Sequence, residues 1–434
     1  MDTEIVAAIL IPLFLIFLLC GMPIAIGIGL SSLAAIAVIL PVDQIFFQGA
    51  QKMFGGIDSF SMLAVPFFML AGNIMNHGGI ARKLINLALM VGGRMPGALA
   101  HANVMGNMLF GTLSGSGMAC AAAIGGTMAP IQREKGYDPA FSAAINVASG
   151  PVGMLIPPSG LLILFSIVSG GVSVAGLFMG GWIPGILWGL AVMAVAYVMA
   201  KKYNLPTEKS TLTGGQKFRL VLDSIPALML IVVVMGGIVG GVFTATEGAA
   251  VAVVYSLGLS FYYGNINRKM LISTLMDTAV TTGVILFLVA VSSLMSWIMA
   301  YAQIPQMIGD FLLNVTDNKI VLLLIINVAL LILGTFMDAT PAILIFTPIL
   351  MPICTQMFGM DPIQFGVMMI FNLGIGNITP PVGCVLFVGA AVGEVKIEKV
   401  VPFLIPVFFA LVGVLMLVTY IPAVSLFLPR LFGL

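Results

Sequence analysis

The chain has 434 residues, of which 60% are hydrophobic and 8% charged, and its 17 Lys and Arg against 16 Asp and Glu leave a formal net charge of +1. A soluble protein of this size keeps roughly a quarter of its residues charged, so a water-soluble enzyme and a disordered chain are excluded. A nucleic-acid binder is excluded too, because it needs a basic phosphate footprint. A mean hydropathy of +1.18, with 30 Met, 28 Phe and 50 Gly, indicates an integral membrane protein of closely packed apolar helices.

A spanning helix needs about 20 apolar residues, and that window predicts spans over 5–21, 23–40, 60–77, 139–170 and 175–200. The first run lacks the basic flank and cleavage site of a secretory signal, so it is expected to stay as a membrane helix. After the polar connector 201–219, further spans are predicted over 220–241, 246–263, 275–301, 361–393 and 401–428. Two apolar stretches, 98–131 and 320–353, are too long for one span and are interrupted by Ser114-Gly115-Ser116-Gly117 and Asp338-Ala339-Thr340-Pro341. These read as re-entrant hairpins. Residues 79–94 and 302–318 are amphipathic and precede the hairpins in equivalent places. They are either interfacial helices joining a moving part to a fixed one or ordinary connecting loops.

At an offset of 223 residues the two halves align without a gap, with eleven identities over positions 111–160. Among them, Gly111, Gly153, Pro157, Pro158 and Gly160 fall on Gly334, Gly376, Pro380, Pro381 and Gly383. The chain therefore reads as two repeats, 1–200 and 220–434, each with five spans and a hairpin. An odd number of crossings inverts the second repeat, an arrangement characteristic of secondary transporters. With 201–219 in the cytoplasm, the inner side carries Arg82, Lys83, Arg94, Arg133, Lys135, Lys201, Lys202, Lys209, Lys217, Arg219, Arg268, Lys269, Lys396 and Lys399. The outer side keeps Lys52, Lys319 and Arg430. The positive-inside rule then puts both termini outside.

Backbone polar groups in lipid must be satisfied, so broken helices persist only where protein, water or a ligand meets the freed groups. Four breaks occur at matched places: the two hairpin tips, then Gly150–Gly160 and Asn372–Gly383. Half-helix C-termini and loose carbonyls suit Na⁺, and N-termini suit a carboxylate. Around the first pair of breaks lie Ser114, Ser116, Asn146, Ser149 and Gly150; around the second lie Thr335, Asp338, Thr340, Asn372, Asn377 and Thr379. The plainer alternative is that these small and polar residues only let helices pack closely. Glu247 and Asp277 read as proton-coupling or helix-capping acids, His77 and His101 as interfacial, and Trp182, Trp188 and Trp297 as interface or packing aromatics. Cys20, Cys120, Cys354 and Cys384 are scattered in apolar sequence, with neither disulfide nor zinc spacing. No Walker loop, HExxH or GxSxG appears, which argues against direct ATP drive and against an enzyme.

PFFMLAGNIMNHGGIARKLI (66–85), LSGSG (113–117), IPPSG (156–160), FTPILMP (346–352) and NITPPVG (377–383) carry a resemblance that extends over essentially the whole chain. It resembles the large membrane subunit of TRAP (tripartite ATP-independent periplasmic) transporters. That resemblance implies an elevator-type fold in a bacterial inner membrane and transport driven by a Na⁺ gradient, with at least two Na⁺ and no organic cofactor. It also implies a soluble periplasmic substrate-binding protein and a small four-helix membrane subunit, which this chain lacks. One Na⁺ site would use Ser114, Gly115, Asn146, Gly150 and Gly153, and a second Thr335, Asp338, Thr340, Gly374, Asn377 and Thr379. The substrate carboxylate would lie near Ser114, Ser116 and Ser159. Family substrates are mostly organic acids, including C4-dicarboxylates and sialic acids, and the general likeness leans to sialic acid. The rivals are a stand-alone ion or anion transporter of related architecture, a channel and a membrane-embedded enzyme.

Overall fold

The computed structural model describes residues 2–92, 96–203, 205, 214–316 and 318–434, and every regular element among them is helical. Arg94, Lys209 and nearly half of the predicted connector, residue 204 and residues 206–213, lie outside the described residues. The chain opens with α1 (Asp2–Leu19) and α2 (Ile24–Ile39), which pack on one another. Next come α3 (Val42–Ile57) and α4 (Ala64–His77), joined through a 3₁₀ turn at Phe60–Leu63 and bent by 61°. Hydropathy gave no span over α3, because Asp43, Gln44, Gln48, Gln51 and Lys52 form a polar side that lowers the window average. Then α5 (Ile80–Gly92) leads to α6 (Ala98–Ser114) and α7 (Gly117–Glu134). After these, α8 (Pro139–Ser149), a 3₁₀ turn at Gly150–Met154, α9 (Gly160–Val168) and α10 (Val174–Lys202) complete the first half.

The second half runs through α11 (Gly214–Val239), α12 (Ala245–Tyr262), α13 (Arg268–Tyr301), α14 (Ile304–Val315) and α15 (Lys319–Phe336). It continues with α16 (Ala339–Pro352), a π turn at Ile353–Met357, α17 (Pro362–Gly376), α18 (Cys384–Val392), α19 (Ile397–Tyr420) and α20 (Pro422–Leu431). Among the described residues six helices are long and apolar enough to cross a membrane, or up to seven counting the bent pair. With α13 running 34 residues, about 51 Å, it exceeds a bilayer core of about 30 Å. The predicted span 401–428 is two helices, because Ile421 is extended (φ −113°, ψ 93°) and Pro422 opens α20. Helices α5 and α14 occupy the two amphipathic stretches.

Local chemistry recurs at the 223-residue offset. Gly136 and Gly359 turn the chain at φ 77° and 60°, where a side chain would be strained. Asp138 then accepts from the Ala140 and Phe141 amides and Asp361 from the Ile363 amide, with Pro139 and Pro362 in the first turns of α8 and α17. Thr112 and Thr335 donate to the carbonyls of Leu109 and Ile332, both at 2.7 Å. The peptide bonds Pro157–Pro158 and Pro380–Pro381 are both cis. In each half a glycine pair lets the first hairpin arm cross the broken segment backbone to backbone. A Cβ on Gly111 would stand 2.6 Å from the Gly153 Cα, and one on Gly376 2.5 Å from the Gly334 Cα.

The helices assemble as two groups. In one, α13 packs on α2, α3 and α4, while α12 packs on α4 and α11. In the other, α6 to α10 pack with α15 to α20, and the broken helices are exchanged between halves: α18 lies on α7 and α8, and α9 lies on α16 and α17. Trp188 closes the joint, fully buried with its ring 4.6 Å from Phe371, its indole N–H donating to the Ala148 carbonyl at 2.8 Å. Among the described residues inter-helix hydrogen bonds join helices of one group, as in Asn73–Thr278 and Tyr255 to the Pro226 carbonyl in the first and Arg133–Glu394 in the second. Tied to the first group, α5 has Lys83 3.3 Å from Asp223 and the Lys83 carbonyl accepting from Ser224, yet it packs along α6.

Candidate functional site

A cavity of about 530 Å³ lies where the two groups meet. The second group supplies both hairpin tips, Ser114, Gly115 and Ser116 from one and Asp338, Thr340 and Pro341 from the other. The facing wall comes from the first group: Phe68, Gly72, Asn73 and Asn76 on α4, and Thr281 and Leu288 on α13. Sequence reasoning missed this wall, since Asn73 and Thr281 are single polar residues on helices without a break.

The tip geometry follows from its sequence. Gly115 ends α6 at φ 61° and Ser116 caps α7, accepting from the Ala119 amide at 3.4 Å. The turn sits directly on the start of α9, where a Cβ on Gly115 would lie 3.2 Å from the Gly160 nitrogen. Ser114 contacts the buried Cys120 thiol at 3.1 Å. At the other tip Asp338 stands at the N-cap position of α16 but its carboxylate does not cap the helix. It accepts instead from the Asn377 amide at 3.2 Å.

Three helices, α7, α9 and α16, thus begin at the cavity, and Ala119, Gly160, Leu161 and Ala339 from their first turns line it. Each helix N-terminus carries about half a positive charge and unpaired N–H groups. Among the lining residues Asp338 is the sole ionisable one. The cavity therefore combines a neutral anion cradle with one carboxylate.

Of the residues grouped as a first Na⁺ site, Ser114 and Gly115 are on the cavity, while Gly153 crosses Gly111 behind them. Further behind, Gly150 faces the Gly117 carbonyl and Asn146 donates to the Ala121 carbonyl at 2.8 Å. Asn107 on α6, missed from the sequence, holds this cluster by donating to the Asn146 side-chain Oδ1 at 3.1 Å and to the Ser149 hydroxyl at 2.7 Å. In the equivalent place of the second half, Asn372 donates to Asn327 at 2.6 Å. The side-chain oxygens of Asn107, Asn372 and Asn377 are buried without a partner; such oxygens suit a hard cation.

In the second group of expected ligands, Asp338 and Asn377 are joined and Thr340 faces the cavity. Thr335 meets the break through its backbone, its carbonyl accepting from the Val382 and Gly383 amides at 3.1 and 3.3 Å. Two expected residues are turned elsewhere. Thr379 spends its hydroxyl on the Ile375 carbonyl, and Gly374 faces the Trp188 ring, which a Cβ there would meet at 3.1 Å, with Gly376 occupying the crossing instead. Ser159, expected to hold the substrate, is fully buried and donates to the Met154 carbonyl. Its neighbours Pro158 and Gly160 are the ones that reach the cavity. Glu247 forms a capping box with Thr244 at the start of α12, the capping alternative. Asp277 is exposed on α13 beside Ser273.

Residues 11–424 match the family described as "Tripartite ATP-independent periplasmic transporter, DctM component". The chain is 52% identical over its whole length to the whole of "Uncharacterized protein YgiK" of Salmonella typhimurium. It is 38% identical to the "Sialic acid TRAP transporter large permease protein SiaM" of Vibrio cholerae, with 96% of each chain covered. To the "Isethionate TRAP transporter permease protein DctMQ" of Oleidesulfovibrio alaskensis it is 42% identical, over 95% of this chain but 65% of that longer one. Among solved structures, the Alcanivorax borkumensis YdaH transporter superposes with a TM-score of 0.63 at 14% identity, covering 88% of this chain and 89% of its own.

Proposed function

The chain belongs to the family of the DctM component of tripartite ATP-independent periplasmic transporters, and we propose that within it the chain is the large permease subunit of a Na⁺-coupled importer of an organic acid. The observation that carries this reading is the convergence of both hairpin tips and three helix N-termini on one cavity between two helix groups. A carboxylate or sulfonate is held by the N–H groups of α7, α9 and α16 rather than by a basic side chain. Asp338 opposes it by like-charge repulsion until a cation sits on the carboxylate. Sodium near Asp338, Asn377 and Thr340, and a second ion among Ser114, Gly115 and the Asn107–Asn146 cluster, removes that repulsion, so anion and ions enter together.

The two halves act as inverted repeats with both termini on the periplasmic side, and the second helix group moves as an elevator against the first. Support for the motion comes from hydrogen bonds that close within each group and from α5, fastened to one group and packed along the other. The names of the relatives differ in substrate but share an acidic group, so the class is organic anion, with a sialic acid or a C4-dicarboxylate as the first choices. A small four-helix membrane subunit and a periplasmic binding protein complete the system.

The test is uptake into proteoliposomes holding this chain and its small subunit, with labelled N-acetylneuraminate, succinate and isethionate. Each substrate is presented with and without an inward Na⁺ gradient and its binding protein. Uptake of one substrate that needs both supports the reading. Uptake with Na⁺ alone would replace it by a stand-alone transporter, and flux indifferent to Na⁺ by a channel.

A further inference from the structure

A second cavity, of about 460 Å³, follows the first along the same seam. Helix α13 lines the first with Thr281 and Leu288 and the second with Val289, Ser292 and Ser296. Likewise α9 passes from Leu164 to Ser166, and α16 from Pro341 to Leu344. Leu164, Leu288 and Leu344 are all buried and stand at the partition. The second cavity adjoins the turn before Val174, the start of the 29-residue α10. It is therefore about 43 Å from Lys202 at the other end of that helix, toward the membrane face opposite the 201–219 connector.

The chemistry of this cavity differs from that of its neighbour. Among the described residues no ionisable side chain lines it; its polar lining is six serines, from the bend before α4, the end of α9 and the last third of α13. Ser166 donates to the Val172 carbonyl. Ser59 and Ser61 are exposed and Ser293 and Ser296 half-buried, while the Ser292 hydroxyl is buried with no hydrogen-bond partner among the described residues. A buried Ser within a helix can bond back to the carbonyl four residues earlier, as Ser256 does here; Ser292 does not.

The backbone adds to the set. The 3₁₀ turn begins at this wall without a side-chain cap from Ser59, so its first N–H groups are open, while α9 ends there with the Phe165, Ser166 and Ile167 carbonyls already accepting from the turn that follows. Donors, acceptors and hydroxyls without net charge match a hydroxylated group and offer nothing specific to a carboxylate. The volume is in the range of small-molecule sites.

We propose that this cavity is a second binding site, selective for polyhydroxylated solutes, stacked on the central cavity along the transport path. Its place on a path rests on the transport reading; its occupancy does not. The test is alkylation of Ser296→Cys by a small maleimide in proteoliposomes without partners or ion gradients, read by peptide mass spectrometry so that the native cysteines do not interfere. The probes are gluconate and hexanoate, equal in carbon number and charge and different in hydroxyls. Millimolar gluconate is expected to slow alkylation by about threefold, the factor for a ligand at twice its Kd, and hexanoate to leave it unchanged. Adding Ser292→Ala is expected to abolish the protection, and Ser59→Cys on the opposite wall to reproduce it. Equal protection by the two acids, no protection by gluconate, or protection that survives Ser292→Ala would overturn the proposal. Such a failure with Na⁺-driven uptake intact removes this site alone; protection without any coupled uptake removes the transport reading alone.

Discussion

The crossing of α15 over α17 sets up a test of the proposed ion coupling. A Cβ added at Gly376 would lie 2.4 Å from the Gly334 carbonyl carbon, 2.5 Å from its Cα and 2.7 Å from its oxygen, all backbone atoms that cannot rotate away. Carbon contacts are comfortable at about 3.5–4.0 Å, so Gly376→Ala must part the two helices by about 1 Å. Overpacking of this kind costs about 1–3 kcal/mol, a loss the fold survives with a lower melting temperature. The effect on function is larger. Asn377 is the next residue, and its 3.2 Å hydrogen bond to Asp338 would be stretched past hydrogen-bonding range. Misplacement by about 1 Å at a working site costs on the order of 10²-fold. In proteoliposomes Gly376→Ala is expected to lose about that factor in Na⁺-driven uptake while eluting as a monodisperse protein. Gly258→Ala is the comparator, since nothing stands within 4 Å of a Cβ there. Wild-type uptake and Na⁺ half-saturation in Gly376→Ala, or an equal loss in Gly258→Ala, would refute the reasoning.

Asp338→Asn keeps the tip in shape but removes the charge, and is expected to raise the Na⁺ concentration for half-maximal uptake by about tenfold or more, equivalent to about 1.4 kcal/mol; an unchanged Na⁺ dependence would take Asp338 out of the ion site. Trp188→Phe preserves the contact with Phe371 but orphans the Ala148 carbonyl, so thermal unfolding should show a loss of about 1–3 kcal/mol with substrate selectivity unchanged. Arg133→Ala removes a 3.0 Å pair with Glu394 whose side chains are 51% and 72% exposed, and a stability change beyond about 1 kcal/mol would mean that the pair does more than decorate the surface.

The breaks were legible because they are written in proline and glycine, whose backbone restrictions act locally and whatever the surroundings. The glycine-proline clusters Gly150–Gly160 and Asn372–Gly383 lie at the ends of α8 and α17, whereas single prolines such as Pro130, Pro184 and Pro406 lie inside helices; the Asp-Pro starts of α8 and α17 carry their own caps. By contrast, α3 was hidden because hydropathy averages over a window, and its polar residues lie on one side of a helix that a window cannot see. Asn107 and Asn327 were missed for a related reason: one polar residue in an apolar run barely alters hydropathy, although its burial obliges it to find a partner. Orientation is the third gap. Ser159 sits between two residues that reach the cavity, and only the turn at the start of α9 decides that its hydroxyl points inward to Met154.

The exchange of broken helices between halves has a consequence for biosynthesis. Helix α7 ends at Glu134, whereas α18, which covers it, begins at Cys384, 250 residues later. At about 5–20 residues per second the ribosome needs roughly 12–50 s to deliver that cover. Throughout that interval a nascent chain already inserted in the bilayer presents the bare glycine- and alanine-rich flank of α7 to the insertion machinery and to other newly made helices. A chain stalled or cleaved after α10 would carry this uncovered flank permanently, marking it for membrane quality control rather than leaving half a working permease.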